Sequence, residues 1–293
     1  MTEFLSDLLA FFTRTLAFIP GMYVITKPLH RFFTAYFTKH PEKAWRTIRM
    51  NGYKMKLNVS YRMAALVYWR GAHEWAPIYL LKNTLKPGMN FYDVGANMGE
   101  FTLLAANAVG ENGKVFSFEP MSEMFGLLQH NIALNNFQNR VGLFNIALSD
   151  KKGEADLFAA TEVNEVGSHE DGLHTLYGTK ERSVFLQKIQ LEKLDELFTE
   201  KNLSKPDVLK VDVEGAELFV LKGAEAILKK YQPKIILEFN SETSEAAGYT
   251  QQDLLSFLKP LGYQFYEIGN RGKLSLLNET NLPALTNLFC VVN

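Results

Sequence analysis

Three stretches of this chain gather side chains that could do chemistry. The first, NFYDVGANM (residues 90–98), runs on through Gly99 into GEFTLLAANA and carries Asp93, Gly95, Asn97 and Gly99 at alternate positions. The second is VFSFEP, in which Glu119 and Pro120 close an apolar run. The third is KVDVEGAE, where Asp212, Glu214 and Glu217 follow Lys210, and a later apolar run, KIILEF, carries Glu238. An apolar run that ends in an acid and enters a glycine turn is how a nucleotide-type ligand site begins. Crowded carboxylates can serve as general bases or hold a hard divalent cation.

The glycine turn discriminates between ligands. A dinucleotide loop reads G-x-G-x-x-G, and its middle glycine lets the backbone approach a pyrophosphate. Here the corresponding residues are Gly95, Asn97 and Glu100. A side chain stands at the close-approach position, and a carboxylate at the helix start repels a phosphate anion. No G-x-x-x-x-G-K-[ST] sequence occurs, which excludes a P-loop. What remains suits a ligand with an amino-acid end and an adenosine end and no phosphate between them, which describes S-adenosylmethionine. Asp93 can receive its ammonium directly or through water, and Gly95 and Gly99 let the backbone pass close to the methionine portion. Glu119, at the end of the next strand, can accept both ribose hydroxyls. An acid there also occurs in NAD sites, so the loop carries the distinction.

Positioning these residues needs a sheet whose strand ends share one edge. The periodicity predicts strands at Asn90–Val94, Lys114–Glu119, Val141–Ala147, Asp207–Asp212 and Lys234–Phe239, with helices at Gly99–Val109, Met121–Asn135 and Ala216–Lys230. Such alternation argues a doubly wound, mainly parallel sheet, which YQFYEI and NLFCVVN could close as an edge pair. Ahead of it, WRTIRMNGYKMKLNVS predicts a hairpin around Asn51-Gly52, and residues 61–85 read as helical. Tyr61, Tyr68, Trp69 and Trp75 there suit either core packing or an aromatic acceptor wall. Residues 159–182 are polar and long for a loop, a candidate substrate lid that carries His174, a second candidate base.

The bulk numbers exclude several classes. Lys and Arg number 31 against 32 Asp and Glu, so no basic field exists to hold a nucleic acid. The single cysteine excludes an intrachain disulfide and a cysteine zinc site, and it fits a reducing, cytoplasmic compartment. Residues 1–37 form an apolar arm rich in Phe and Leu, with no secretory leader expected. It is read as a helical arm that packs on the domain or on a sister subunit of a homo-oligomer, or as a peripheral membrane contact with Arg14, Lys27 and Arg31 near headgroups.

FYDVGANMGEFTLLAA, VFSFEP, NIALSD, LEKLDELF, DVLKVDVEGAELFVLKGAEAIL and PKIILEFN together resemble the ordered motifs of the FkbM family of S-adenosylmethionine-dependent methyltransferases, over about residues 85–240. RGAHEWAP, with Glu74, also resembles a stretch that precedes the glycine loop in this family. Glu100 departs from the family pattern, which often has an aromatic or small residue there, and it is expected to make the nearby surface more acidic. The resemblance implies a Rossmann-like class I methyltransferase fold. Its seven-stranded, mainly parallel sheet would carry helices on both faces and a reversed last hairpin. Residues 1–37 would then be the arm, 38–88 a hairpin and helix cap, and 89–293 the methyltransferase domain. It also implies cofactor contacts from Asp93, Gly95, Asn97 and Gly99 at the methionine end. Glu119 would hold the ribose, Pro120 would shape the adenine wall, and Asn145 and Ala147 would flank the adenine.

Within that frame Asp212 is the first choice for base or hydroxyl anchor and Glu214 the second, with Glu74, His174, Glu217 and Glu238 toward the substrate. Glu214 and Glu217 also suit a plainer role as acids that complement a helix N-terminus. A divalent cation on Asp212 and Glu238 is an open option but not the expected one, because the ligand set would be incomplete without substrate or water. The reading is an O-methyltransferase for a hydroxyl of a glycan, glycolipid or related metabolite. A NAD-dependent oxidoreductase and an inactive S-adenosylmethionine-binding module are its alternatives.

Overall fold

The computed structural model describes residues 2–15, 22–159, 175–176 and 184–292. Helices α1 (Thr2–Thr15) and α2 (Met22–Lys39) lead into a hairpin of β1 (Trp45–Met50) and β2 (Tyr53–Asn58), followed by α3 (Arg62–Arg70) and α4 (Trp75–Thr84). Alternation begins with β3 (Asn90–Val94), α5 (Glu100–Val109), β4 (Lys114–Phe118), α6 (Ser122–Leu134) and β5 (Val141–Phe144). Three strands then lie apart from the main sheet: β6 (Ala147–Leu148), β7 (Gly153–Ala159) and β8 (Val184–Glu192). The alternation resumes with α7 (Leu194–Glu200), β9 (Val208–Val211), α8 (Glu217–Gly223), α9 (Glu225–Tyr231), β10 (Lys234–Asn240), α10 (Ser241–Ala246) and α11 (Gln251–Leu258). It ends in β11 (Tyr263–Ile268), β12 (Leu274–Leu276) and β13 (Leu285–Val292).

The main sheet runs β12-β11-β13-β10-β9-β3-β4-β5. The five strands from β10 to β5 are parallel, and β13 enters antiparallel between β10 and β11. This is the doubly wound sheet with a reversed last hairpin, and it has eight strands where seven were expected. The extra one is the short edge strand β12, three residues long and all exposed, too short to mark a strand in the sequence. Side chains alternate between two cores, as a sheet covered on both faces requires. Phe91, Val208 and Ile236 join the core beneath the hairpin and α3–α6. Their neighbours Tyr92, Leu209 and Leu237 join the core beneath α7–α11.

Several predicted elements divide. Val141–Ala147 was expected as one strand; it breaks after Phe144, and Ala147 starts β6, which pairs with β8 in a separate three-stranded sheet. Strands β7 and β8 flank the segment 159–182 read as a loop and were not predicted, and little of either is buried. The helix over Ala216–Lys230 is two helices that meet at Ala224, and residues 61–85 divide at Gly71, which takes a left-handed conformation (φ +84°).

The hairpin is tied to the sheet by one buried amide. Asn131 Oδ1 accepts from Lys56 N (2.7 Å), while its Nδ2 donates to Lys56 O (3.0 Å) and Met98 O (2.9 Å). This links β2, α6 and the turn after β3 through a single side chain.

The arm packs on its own chain through one face. Thr13 Oγ1 donates to Trp69 O (2.8 Å), Ser6 Oγ lies 3.2 Å from Tyr68 OH, and Asp7 Oδ1 accepts from Arg46 Nε (2.8 Å). Tyr68 and Trp69 are buried there as packing residues. The opposite face exposes Leu5, Leu8, Phe12, Leu29 and Phe32. Among the described residues no helix is long and apolar enough to cross a membrane.

Candidate active site

The glycine turn is built by strand geometry. Past the end of β3, the amides of Gly95 and Ala96 both donate to Phe118 O, at 3.1 and 3.0 Å. Gly95 has φ +80°, and a Cβ there would lie 1.8 Å from the carbonyl oxygen of Asp212, so no other residue fits. Asn97 also takes a left-handed conformation (φ 48°), which asparagine tolerates, and its Oδ1 accepts from Met98 N at 2.7 Å. Its own N–H donates to Glu119 Oε2 at 2.7 Å, while Met121 N donates to Glu119 Oε1 at 2.8 Å. The two backbone bonds fix the Glu119 carboxylate, and each oxygen keeps a further acceptor site. Burial still dominates and pushes Glu119 up to about 7. Asn145 Nδ2, just past the end of β5, donates to the carbonyls of Glu119 (2.8 Å) and Pro120 (3.0 Å).

One cleft of about 280 Å³ runs past these groups. Gly95, Asn97, Glu119, Pro120 and Ala147 line one half, and Glu74, Asp212, Glu214 and Glu238 line the other. Nine of the residues singled out in the sequence therefore meet in one cavity. Asp93, Gly99, Asn145 and Glu217 stand behind its wall, and His174 lies outside the described residues. Gly99 caps α5 with φ +97°, and a Cβ there would meet Leu128 Cδ1 at 2.6 Å.

Asp93 is fully buried. Its Oδ2 accepts from Thr102 Oγ1 (2.6 Å), and its Oδ1 lies 3.6 Å from Lys210 Nζ, its partner across the β3–β9 ladder. Lys210 in turn reaches Asp212 Oδ2 (3.1 Å) and Gly95 O (3.3 Å) and stands 4.8 Å above the Phe101 ring. Burial pulls its pKa down, but Asp212 and Asp93 outweigh that and hold it above the usual lysine value. A permanent cation therefore sits under the turn and holds one oxygen of Asp212.

Glu217 closes the KVDVEGAE turn from inside. Its carboxylate accepts from Val213 N (3.0 Å), Gly215 N (3.1 Å) and Tyr249 OH (3.0 Å). Glu214, at the crown of that turn, is left-handed with φ 54°. Glu238 sits opposite Asn287 in the β10–β13 ladder, and Asn287 Nδ2 donates to Glu74 Oε2 at 2.7 Å. Burial, then Asp212, raises Glu74; burial, then Glu214 and Asp212, raises Glu238 well above the carboxylate range. His73, passed over in the sequence, lines the cavity, and burial lowers it to about 4, so it is neutral at pH 7. Asn240 and Asn287 were also missed; the EFN ending of β10 was the available signal for Asn240.

Glu100 corrects an expectation. It does not add charge to the surface: it is buried and accepts from His73 N at 3.1 Å, beneath the segment between α3 and α4. Burial pushes it up to about 8.

The cavity suits S-adenosylmethionine. A buried, backbone-anchored carboxylate offers acceptors for a diol, a glycine turn with no phosphate-binding character lies beside it, and carboxylates line the far end to face a cationic sulfonium.

Comparison with known proteins agrees with this geometry. The family described as Methyltransferase FkbM domain matches residues 93–265. Hexuronic acid methyltransferase AglP of Haloferax volcanii is 31% identical over 132 residues, covering 45% of this chain and 48% of that protein. The 31-O-demethyl-FK506 methyltransferase FkbM of Streptomyces tacrolimicus is 28% identical over 162 residues, covering 48% of this chain and 61% of its own length. The chain thus spans about half the length of these curated relatives, and only 10% of the AMB antimetabolite synthetase AmbE of Pseudomonas aeruginosa, to which it is 27% identical. Among solved structures, the methyltransferase FkbM of Methylobacillus flagellatus shares 14% identity with a TM-score of 0.44, covering 92% of this chain and 59% of that one. The match runs over most of the sheet, from the acid of the glycine turn into the reversed hairpin: the chain belongs to the FkbM family of S-adenosylmethionine-dependent methyltransferases.

Proposed function

We propose that this chain is an O-methyltransferase that transfers the methyl of S-adenosylmethionine to a hydroxyl of a glycan, glycolipid or related metabolite. The observation that carries the reading is Asp212, which lines the same cleft as Glu119 and whose carbonyl packs against Gly95 in the cofactor turn. The bound cofactor supplies an electrophilic methyl on a positively charged sulfur. Around it Glu119 would hold the ribose, and Asp93, through Lys210 and Thr102, would set the charge beneath the turn. Methyl transfer would form an O–C bond as the S–C bond breaks, its electron pair leaving with a neutral thioether, and Asp212 first, Glu214 second, would take the acceptor's hydroxyl proton. Alignment at about 3 Å and exclusion of water supply much of the rate, and a positioned base adds about 10²- to 10⁴-fold. Two relatives support oxygen as the acceptor atom: one is named for a hexuronic acid and the other for a 31-O position.

A labelled-methyl transfer screen on glycan and lipid extracts tests the acceptor, alongside calorimetry with S-adenosylhomocysteine and NADH. Asp212→Asn should keep S-adenosylhomocysteine affinity and lose about 10²-fold or more in kcat. Binding of NADH without S-adenosylhomocysteine would sink the reading, and full turnover by Asp212→Asn would remove Asp212 from the chemistry.

A further inference from the structure

We propose that Asp212, Glu214 and Glu238 form a divalent-cation site at the acceptor end of the cleft, which takes Mg²⁺ or Mn²⁺. The proposal rests on the methyltransferase reading above for its purpose but not for its geometry. One carboxylate oxygen from each of the three residues lies within 4.8 Å of the others. Two oxygens on opposite sides of one ion, each about 2.1–2.4 Å away, span about that distance.

An acidic cluster alone makes no site; the decisive feature is Glu238. Its Oε2 is buried and has no hydrogen-bond partner, and the side chain lines the cleft beside the other two acids. A desolvated carboxylate oxygen costs several kcal/mol unless a cation or donor meets it. Among the described residues no donor hydrogen-bonds this oxygen. Lys210 is engaged by Asp93, Asp212 Oδ2 and Gly95 O, and Asn287, across the strand from Glu238, gives its amide to Glu74. Asp212 has one oxygen on Lys210 and the other unassigned.

The third ligand is held in place at a conformational cost. Glu214 is left-handed at φ 54°, before Gly215 at φ +105°, a conformation that strains a non-glycine residue. The turn is pinned from below by Glu217 on the amides of Val213 and Gly215, and from above by Thr175 Oγ1, which donates to Glu214 O (2.9 Å). Strain held this firmly at a ligand-facing residue fits a positioning role. Oxygen-only ligands select a hard cation, and three carboxylates leave open positions for water and the acceptor hydroxyl. With the ion bound, Asp212 would be a ligand rather than the proton acceptor named above; the ion would orient the acceptor oxygen, lower its pKa and let its proton leave to water at the mouth of the cleft.

Full-length protein stripped with EDTA and dialysed is titrated with Mn²⁺ by electron paramagnetic resonance, and in parallel with S-adenosylhomocysteine by calorimetry. The expected result is one Mn²⁺ per chain, displaced by Mg²⁺. Glu238→Gln should weaken Mn²⁺ by about tenfold or more, with S-adenosylhomocysteine affinity and melting temperature little changed. A folded wild-type protein that binds S-adenosylhomocysteine but no Mn²⁺ overturns the metal site and leaves the methyltransferase reading intact. Mn²⁺ binding that Glu238→Gln does not weaken also overturns it. Mn²⁺ binding without S-adenosylhomocysteine binding supports the site and counts against the methyltransferase reading instead.

Discussion

Replacing Glu100 by glutamine separates its hydrogen bond from its charge. The side chain is buried and accepts from the His73 amide, and burial lifts its pKa from 4.5 to about 8. The folded protein therefore holds this proton more tightly than the unfolded chain does. Its contribution to stability is full below pH 4.5, declines as pH rises and is lost once pH passes about 8. At about 1.4 kcal/mol per pH unit the whole effect is about 5 kcal/mol, of which about 3 kcal/mol falls between pH 6 and pH 9. Glutamine keeps an oxygen for His73 N–H and never ionises. Glu100→Gln should match the wild type near pH 4.5, exceed it by about 2 kcal/mol at pH 6 and by about 5 kcal/mol at pH 9, the last roughly 10–20 °C in Tm. Urea unfolding at several pH values reads this directly, since every other group titrates in both proteins. Parallel wild-type and variant profiles across pH 6–9 would refute the argument, because they would mean that Glu100 reaches water or a cation when ionised.

Three further perturbations probe the scaffold and the cofactor half. Glu119→Gln places an amide NH₂ against the N–H of Asn97 or Met121, so S-adenosylhomocysteine should bind about tenfold to a hundredfold more weakly by calorimetry; equal affinity would remove Glu119 from the ribose site. Asn131→Leu leaves Lys56 N, Lys56 O and Met98 O without their partner and should cost about 3 kcal/mol in chemical denaturation; a loss below about 1 kcal/mol would show that water replaces the amide. Gly95→Ala drives a methyl into the Asp212 carbonyl and forces a left-handed alanine, so it should lower Tm steeply and abolish S-adenosylhomocysteine binding; a normal Tm would mean that β3 and β9 part easily at their ends.

The parts legible in the sequence were those with a strong period. Asn90–Val94 was predicted to the residue, because Phe91, Tyr92 and Val94, broken only by the acid Asp93, lead straight into a glycine turn. The second sheet was illegible for the opposite reason: of β7 and β8 only Leu157, Ile189 and Leu191 are buried in a core, while apolar residues such as Val184 and Phe185 are exposed, so no burial period marks the strands. The glycine turn showed which cofactor to expect, but its spacing could not tell a residue that lines the cleft from one behind it. Asp93 sits on the face that also carries Phe91, one residue out of step with Val94, which lines the cleft. Glu100 was misread because nothing at the start of α5 signals that the chain around His73, far away in sequence, folds over it. Glu238 gained its importance from its surroundings, a buried oxygen with no partner, which residue type alone does not reveal.

Ala159 and Val184 are directly paired across β7 and β8, so the chain leaves the second sheet and returns to it at a single rung. Phe158 also pairs with Thr175 by two backbone hydrogen bonds, and Leu157 and Leu176 both face the cleft. The ends of the intervening sequence are thus already brought together by these pairs. Changing its length alters closure entropy only slowly and disturbs none of the strands that hold the cofactor turn.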